Sequence, residues 1–140
     1  MSAALERLSG RDGPLVAEPF DRQEFDGLVR SGLARLRDAG KDELALESRF
    51  DLVYNASHAL CLAALRRMGY RARHRYVVFQ VLPHTLGLGP EVWRVLDNGH
   101  RTRNLAEYEG MLEVDIALVR ELIEACSVVA KELESRRGNG

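Results

Sequence analysis

The chain has 140 residues, of which 46% are hydrophobic and 29% are charged, and its formal net charge is −1. This length suits one domain with a core of its own, and the composition excludes a disordered chain. The near-neutral charge excludes a protein that binds polyanions over its whole surface, so any nucleic-acid contact has to come from a local patch.

Localisation and domain boundaries follow from the same sequence. No apolar run reaches the roughly 18 residues that a membrane helix needs, and the first residues lack the apolar core of a signal peptide. We therefore expect a cytoplasmic protein without membrane contact. Cys61 and Cys126 lie in apolar runs typical of buried thiols in a reducing compartment. Glycines and prolines predict a flexible N-terminal arm over 1–19, followed by one helical domain over 20–136 and a tail over 137–140.

The first predicted helix covers 21–39. Asp21 is a favoured N-cap residue, and Glu24, three residues later, completes a pair that resembles a capping box. Apolar residues recur between them and Gly40 at helical spacing. Gly40 then ends the helix.

The second predicted helix covers 42–68 and is apolar almost all round. Such a helix is typically central and covered on several sides, so its few polar residues are informative. Asp51, Asn55 and His58 are spaced i, i+4 and i+7, which places them on one face.

Two shorter signals follow. The segment 75–82 has strand propensity as well as helix propensity, but an isolated strand would lack a partner, so we predict a short helix. Pro90 is a favoured first-turn residue and begins a helix over 90–111. Gly99, in the middle of that helix, indicates either a break or a close contact with another helix.

The last predicted helix follows Asp115, a good cap, and its apolar residues alternate spacings of three and four. This packing seam either closes the bundle or forms a dimer contact. The seam comprises Ile116, Val119, Ile123, Cys126, Ala130 and Leu133. The whole pattern predicts an all-α protein, an up-down bundle of about five helices.

The most unusual segment lies near the end of the helix over 90–111, where polar residues share one side of the helix. They are His100, Arg103, Asn104, Glu107 and Tyr108. The apolar residues Trp93, Leu96 and Met111 extend that side in both directions, so part of the polar set should point inward.

Buried charge has to be paired and hydrogen-bonded, and the helix over 42–68 offers partners. The simplest closure is an Arg103–Asp51 pair, flanked by inward-pointing Asn55, Asn104 and Tyr108 side chains. We expect Arg103 to be at least half buried and paired with Asp51 or Glu107. This network either fixes the register of the two helices or forms a ligand, phosphate or RNA site, for which arginine is well suited.

A second feature is a cluster of arginines at the end of the helix over 42–68 and in the following loop. The cluster comprises Arg66, Arg67, Arg71, Arg73 and Arg75. Positive residues near a helix C-terminus complement its dipole, which makes this a solvated surface. The alternative is a patch for nucleic acid or an acidic partner.

Two segments resemble the HEPN superfamily: residues 48–56, which read SRFDLVYNA, and residues 103–108, which read RNLAEY. The likeness spans roughly 21–133. It implies an HEPN-like helical bundle, and many HEPN proteins are homodimeric, metal-independent RNases. Some of them pair with a separate nucleotidyltransferase in toxin–antitoxin or defence systems, so the resemblance allows such a partner.

The RNase motif that the resemblance implies is incomplete. It consists of an arginine, then a polar residue that is often asparagine, then a histidine four to six residues after the arginine. Arg103 and Asn104 match the first two, but Glu107, Tyr108 and Glu109 occupy the histidine positions. Neither a tyrosine nor a glutamate of ordinary pKa replaces an imidazole in moving a proton at neutral pH.

Three functions are therefore kept open. The leading hypothesis is a non-catalytic HEPN-like module, dimeric, that binds a nucleotide, RNA or a protein partner through the Arg103 face. The second is an RNase with an altered motif, in which Arg103, Asn104, Tyr108 and His100 are the catalytic candidates. The third is a purely structural dimer. The four histidines show no metal-ligand spacing, so we predict neither a metal nor a cofactor.

Overall fold

A computed structural model describes residues 2–110 and 114–137. Within those ranges the chain is mostly helical, with seven helices and one two-stranded sheet. The elements are α1 (Ala3–Leu8), β1 (Leu15–Ala17), α2 (Arg22–Ala39), α3 (Leu46–Arg67), β2 (Tyr70–Ala72), α4 (Val77–Gln80), α5 (Leu82–Thr85), α6 (Pro90–Glu109) and α7 (Ile116–Arg137). The all-α prediction is confirmed at this level. None of the described helices is both long and apolar enough to cross a membrane.

The predicted starts of the long helices are confirmed for α2, α6 and α7. The Asp21 carboxylate accepts hydrogen bonds from the backbone N–H groups of Gln23 and Glu24, and Asp115 accepts one from Leu118 in the same way. The start of α3 was predicted four residues too early, because a turn closed by the Leu44 N–H on the Lys41 carbonyl precedes it.

Helix α3 is the centre of the fold, as its apolar sequence predicted. It packs most extensively against α2 and α7, and it also contacts α4, α5, α6 and β2. The largest buried side chains of the core include Phe50 and Leu60 on α3, Phe25 on α2 and Phe79 on α4. The helices around α3 are therefore positioned by one shared apolar surface.

The segment 75–82 is helical, as predicted, in two short pieces, α4 and α5.

Helix α6 ends at Gly110, whose φ of +74° is a left-handed conformation that glycine adopts without strain. Met111, the predicted last residue of that helix, lies outside the described residues. Gly99 marks a close helix contact, since a Cβ there would lie 2.7 Å from Leu122 Cδ2 on α7.

The seam on α7 closes the bundle. Val119, Cys126, Ala130 and Leu133 are buried against the rest of the chain, and Ile123 packs against the same core. The seam therefore gives no reason of its own to expect a dimer contact.

The prediction of an irregular arm over 1–19 is wrong for the described part of that segment. Leu5 on α1 and Leu15 on β1 are both fully buried in the core. Strand β1 pairs antiparallel with β2, with Leu15 opposite Ala72 and Ala17 opposite Tyr70. These long-range contacts give the segment the regular structure that its glycines and prolines did not suggest.

Arg66 fixes this N-terminal segment to the end of α3. Its side chain is nearly fully buried and donates to the Glu24 carboxylate at 2.6 Å and to the carbonyls of Glu18 and Pro19 at 2.9 and 2.6 Å. Arg71 donates to the carboxylates of both Glu18 and Glu24. Because a buried guanidinium is tolerated only when paired, this network sets how β1 and β2 dock on α3.

The contact between α2 and α3 predicts opposite effects for two glycines of α2. A Cβ at Gly32 would lie 2.7 Å from the branch carbon Cγ of Leu60 and 3.3 Å from the Ala56 carbonyl oxygen. Overpacking costs about 1–3 kcal/mol, more than the roughly 1 kcal/mol that alanine gains over glycine in a helix. We expect Gly32→Ala to lower the free energy of unfolding by about 1 kcal/mol or more, measured by urea denaturation.

Gly27→Ala is the matched control, because the nearest atom to a Cβ there is the tip of Arg30 at 3.9 Å. This variant should be as stable as the wild type or up to about 1 kcal/mol more stable. Equal stability of the two alanine variants would contradict the close α2–α3 contact.

Candidate functional site

The phenol of Tyr54 is the centre of the polar site. Tyr54 lies in the middle of α3 and is 2% exposed, between Phe50 and Phe79. Its hydroxyl is hydrogen-bonded to His100 Nδ1 at 3.0 Å and accepts a hydrogen bond from Arg75 Nε at 3.3 Å. A buried hydroxyl needs such partners, so the phenol ties α3 to α6 and to the loop before α4.

Two guanidinium groups lie against the same phenol ring. Arg103 Cζ is 4.7 Å from the ring centroid of Tyr54, and Arg75 Cζ is 5.6 Å from it. Both distances are within the range of a cation–π interaction. Two cations from separate elements therefore contact one aromatic ring.

The two arginines are incompletely neutralised. Arg103 Nε donates to Glu107 Oε1 at 3.2 Å, but that carboxylate is 65% exposed and screened by water. Arg103 Nη1 is buried without a hydrogen-bond partner in the described part of the chain. Arg75 forms no ion pair with any carboxylate of residues 2–110 or 114–137. Within the described chain, neither guanidinium group therefore has a buried carboxylate as its ion-pair partner.

His100 is held by hydrogen bonds on both ring nitrogens. Besides the bond between Nδ1 and Tyr54, Nε2 is hydrogen-bonded to the Asn104 side-chain amide at 3.0 Å. Burial lowers the pKa of His100, Asp97 acts in the opposite direction, and the positive charges of Arg75 and Arg103 add to the lowering. The His100 imidazole therefore links Tyr54 on α3 with Asn104 on α6, and both of its ring nitrogens are already hydrogen-bonded.

His58 lies one turn further along α3 from Tyr54, edge-on to the Phe79 ring. Burial lowers its pKa to about 4, and the charges of Arg75, His100 and Arg103 act in the same direction. The positive charges of the two arginines thus contribute to the lowered pKa values of both His58 and His100.

A cavity of about 560 Å³ is lined by Arg103, with Phe50 among its apolar lining. Three carboxylates, those of Glu47, Asp51 and Glu107, line it together with Arg103. Their negative charge outweighs the single guanidinium, so this cavity does not suit an anion. Arg75 does not line this cavity.

The predicted partnership of Arg103 is confirmed for one of its two candidates. The side chain is 32% exposed, hence more than half buried, and it pairs with Glu107. Asp51 is exposed and shares the acidic cavity with Arg103, but the described ion pairs do not join the two residues. Glu107 lies one turn away on the same helix, which makes it the energetically more favourable partner for Arg103.

Two further predicted site residues do not take part in the site as expected. Tyr108 is 93% exposed, so the prediction that it points inward is wrong. Asn55 donates its side-chain amide to the Asp51 carbonyl of its own helix. Asn104 does take part, but through His100.

The arginine cluster 66–75 is not one surface patch. Arg66 is buried, Arg71 pairs with Glu18 and Glu24, and Arg67 donates to the Arg136 carbonyl. Arg73 donates to the backbone carbonyls of Gly13 and Arg11. Four of the five thus stabilise the N- and C-terminal segments, and only Arg75 turns toward Tyr54.

Tyr54 and Tyr76 belong to the site but were not predicted as site residues. The available signal for Tyr54 was that a phenol on a central apolar helix needs a partner for its hydroxyl. Tyr76 is 39% exposed, and its ring lies 6.0 Å from that of His100. No sequence pattern indicated that contact, since the two residues come from different elements.

Cys61 and Cys126 are both free and buried, as predicted. Burial raises the pKa of Cys61 well above its ordinary value and that of Cys126 to about 11, so neither is poised as a thiolate nucleophile. The described residues hold no group of three or more His, Cys, Asp or Glu side chains arranged to bind a metal ion.

Comparisons of the chain with protein-family models, with curated proteins and with solved structures gave no match.

The lowered pKa of His58 predicts a pH-dependent stability. The unfolded chain binds a proton at His58 near pH 6.5, whereas the folded chain does so only near pH 4. The free energy of unfolding should therefore fall between pH 6.5 and pH 4, by at most about 3 kcal/mol from this residue, and His100 adds to the fall in the same sense. Chemical denaturation at a series of pH values measures this slope.

His58→Gln should flatten the slope between pH 6.5 and pH 4, because glutamine does not titrate. The exposed His84 provides the control, and His84→Gln should keep the wild-type slope. If the slope is unchanged in His58→Gln, His58 is not held neutral by the site.

Proposed function

We propose that the chain is a non-catalytic, HEPN-like helical module that binds RNA through phosphate contacts with Arg75 and Arg103. The observation that carries the proposal is the contact of both guanidinium groups with Tyr54, while neither has a buried carboxylate as its ion-pair partner in the described chain. Guanidinium groups recognise phosphate oxygens through paired hydrogen bonds, and a phosphate would supply the missing counter-charge.

The geometry supports an anion more than a cation at this point. Arg75 lacks a carboxylate partner in the described ranges, and the pKa of both neighbouring histidines is lowered in part by the arginines. The cavity beside Arg103 is acidic, so an anion is favoured at Arg75, which does not line that cavity. The remaining four arginines of the cluster do not contribute, so the contact is local, as the net charge of −1 requires.

Binding is favoured over the alternative of an RNase with an altered motif. Both ring nitrogens of His100 are engaged within the chain, so neither is free to move a proton on a substrate. His58 has a pKa of about 4, far from the neutral value that suits a general acid or base. Tyr108, which occupies a motif position, points into solvent.

The HEPN-like bundle and the homodimer rest on the resemblance of residues 48–56 and 103–108. A dimer that places two Arg103 faces together would enlarge the positive surface, which suits an extended RNA. A nucleotidyltransferase-like partner in a toxin–antitoxin or defence system is compatible with this role.

Arginine variants test the proposal through the affinity for a labelled single-stranded RNA, measured by fluorescence anisotropy. Arg75→Ala and Arg103→Ala should each weaken binding by about tenfold, the effect of one charge-assisted contact of roughly 1.5 kcal/mol. The melting temperature should change little for Arg103→Ala, because its partner Glu107 is exposed and can be solvated.

Arg94→Ala is the matched control. Arg94 lies on the same helix as Arg103, nine residues earlier and hence on the opposite side of the helix. The substitution Arg94→Ala removes the same charge as Arg103→Ala. Equal losses in Arg94→Ala and Arg103→Ala would show a diffuse charge effect and contradict the proposed site. Cleavage of the RNA by the wild type, abolished in Arg103→Ala, would favour the RNase alternative.

A further inference from the structure

A second cleft, of about 340 Å³, lies between the N-terminal segment and the helices α4 and α5. Its walls are largely apolar and are formed by Leu8, Pro14, Val77 and Val81. Tyr76 borders this cleft and is also a neighbour of His100 in the polar site. The cleft and the arginine site are therefore adjacent, with Tyr76 between them.

The lining of the cleft suits a flat heterocycle. Its volume is at the low end of the roughly 300–1,000 Å³ range of small-molecule sites, which combine apolar walls with a few polar groups. Here the polar groups are the Gln80 amide and the His84 imidazole. Gln80 Nε2 donates one N–H to Asp97 Oδ1 at 3.5 Å, and its second N–H and its carbonyl oxygen remain to match the donor and acceptor on the edge of adenine.

Tyr76 is presented as a stacking surface. Its ring is 39% exposed and is stacked on the His74 ring, with centroids 5.7 Å apart and an angle of 4° between the planes. Exposed aromatic rings beside arginines are the usual means by which proteins bind single-stranded nucleic acid. Arg75, the preceding residue, places its guanidinium at the Tyr54 hydroxyl.

We propose that this cleft is a nucleobase subsite, in which a base stacks on Tyr76 while its phosphate contacts Arg75. This inference rests on the proposed function and names its ligand as single-stranded RNA, bound through a base as well as through phosphate. Charge complementarity favours a nucleotide over an uncharged aromatic ligand, because Arg75, the residue before Tyr76 at the border of the cleft, has no ion-pair partner in the described chain.

The test compares two labelled probes, the hexamer of riboadenylate and an abasic hexamer of the same charge, by fluorescence anisotropy. The wild type should bind the adenylate hexamer about tenfold more tightly than the abasic one. Tyr76→Leu should lose that preference and bind the abasic hexamer as the wild type does. Tyr76→Phe, which retains the ring, should keep the preference.

Gln80→Ala serves as a second variant, because Gln80 is exposed and its loss leaves the aromatic ring in place. It should weaken binding of the adenylate hexamer alone. Circular dichroism melting of each variant verifies the fold.

The outcomes separate the subsite from the phosphate site. Equal affinities for the two hexamers, both reduced in Arg75→Ala, would overturn the nucleobase subsite and leave the proposed function intact. A preference that persists in both Tyr76→Leu and Gln80→Ala would place the base elsewhere and also overturn the subsite. A wild type that binds neither hexamer would overturn the subsite together with the proposed function.

Discussion

The buried hydroxyl of Tyr54 is the constraint on which the polar half of the molecule depends. A phenol at the centre of an apolar helix would cost a few kcal/mol if its hydroxyl lost water without gaining a partner. His100 from α6 and Arg75 from the loop before α4 supply the partners. The close approach of α6 to α7 at Gly99, next to His100, sets the position of that helix. The register of three elements thus follows from one hydroxyl group.

Satisfying this hydroxyl concentrates positive charge. Arg75 and Arg103 both lie within cation–π distance of the Tyr54 ring, whose electrons offset part of their positive charge. Glu107 offsets a further part, but it is exposed and therefore weak as a counter-charge. The remaining positive charge disfavours protonation of the neighbouring histidines. Burial is the largest cause of their lowered pKa values, and the arginines lower them further. Under the proposed function, a bound anion would strengthen this arrangement and so link binding to stability.

The long helices could be predicted from the sequence because their signals are local. Asp21 and Asp115 cap their helices as expected. The apolar sequence of α3 predicted its central position, and the apolar periodicity of α7 predicted its buried face. The structure of residues 2–19 could not be predicted, because it depends on pairing between β1 and β2 and on the buried Arg66, both of which join distant parts of the chain.

The candidate site was predicted in part for the same reason. His100, Arg103, Asn104 and Glu107 share one helix, so their proximity could be derived from helical spacing. The contacts that define the site come from elsewhere: the rings of Tyr54 and Tyr76 and the guanidinium of Arg75. Sequence spacing does not report such tertiary contacts, and counting a phenol as apolar concealed the one signal that it carried.

The salt dependence of RNA binding tests the central claim most directly. Each phosphate contact to a single strand contributes about −0.7 to the slope of log K against log salt concentration. The double variant Arg75→Ala, Arg103→Ala should therefore bind single-stranded RNA with a slope shallower than that of the wild type by about 1.4, the sum for two such contacts. A slope equal to that of the wild type would contradict the claim that these two arginines bind phosphate.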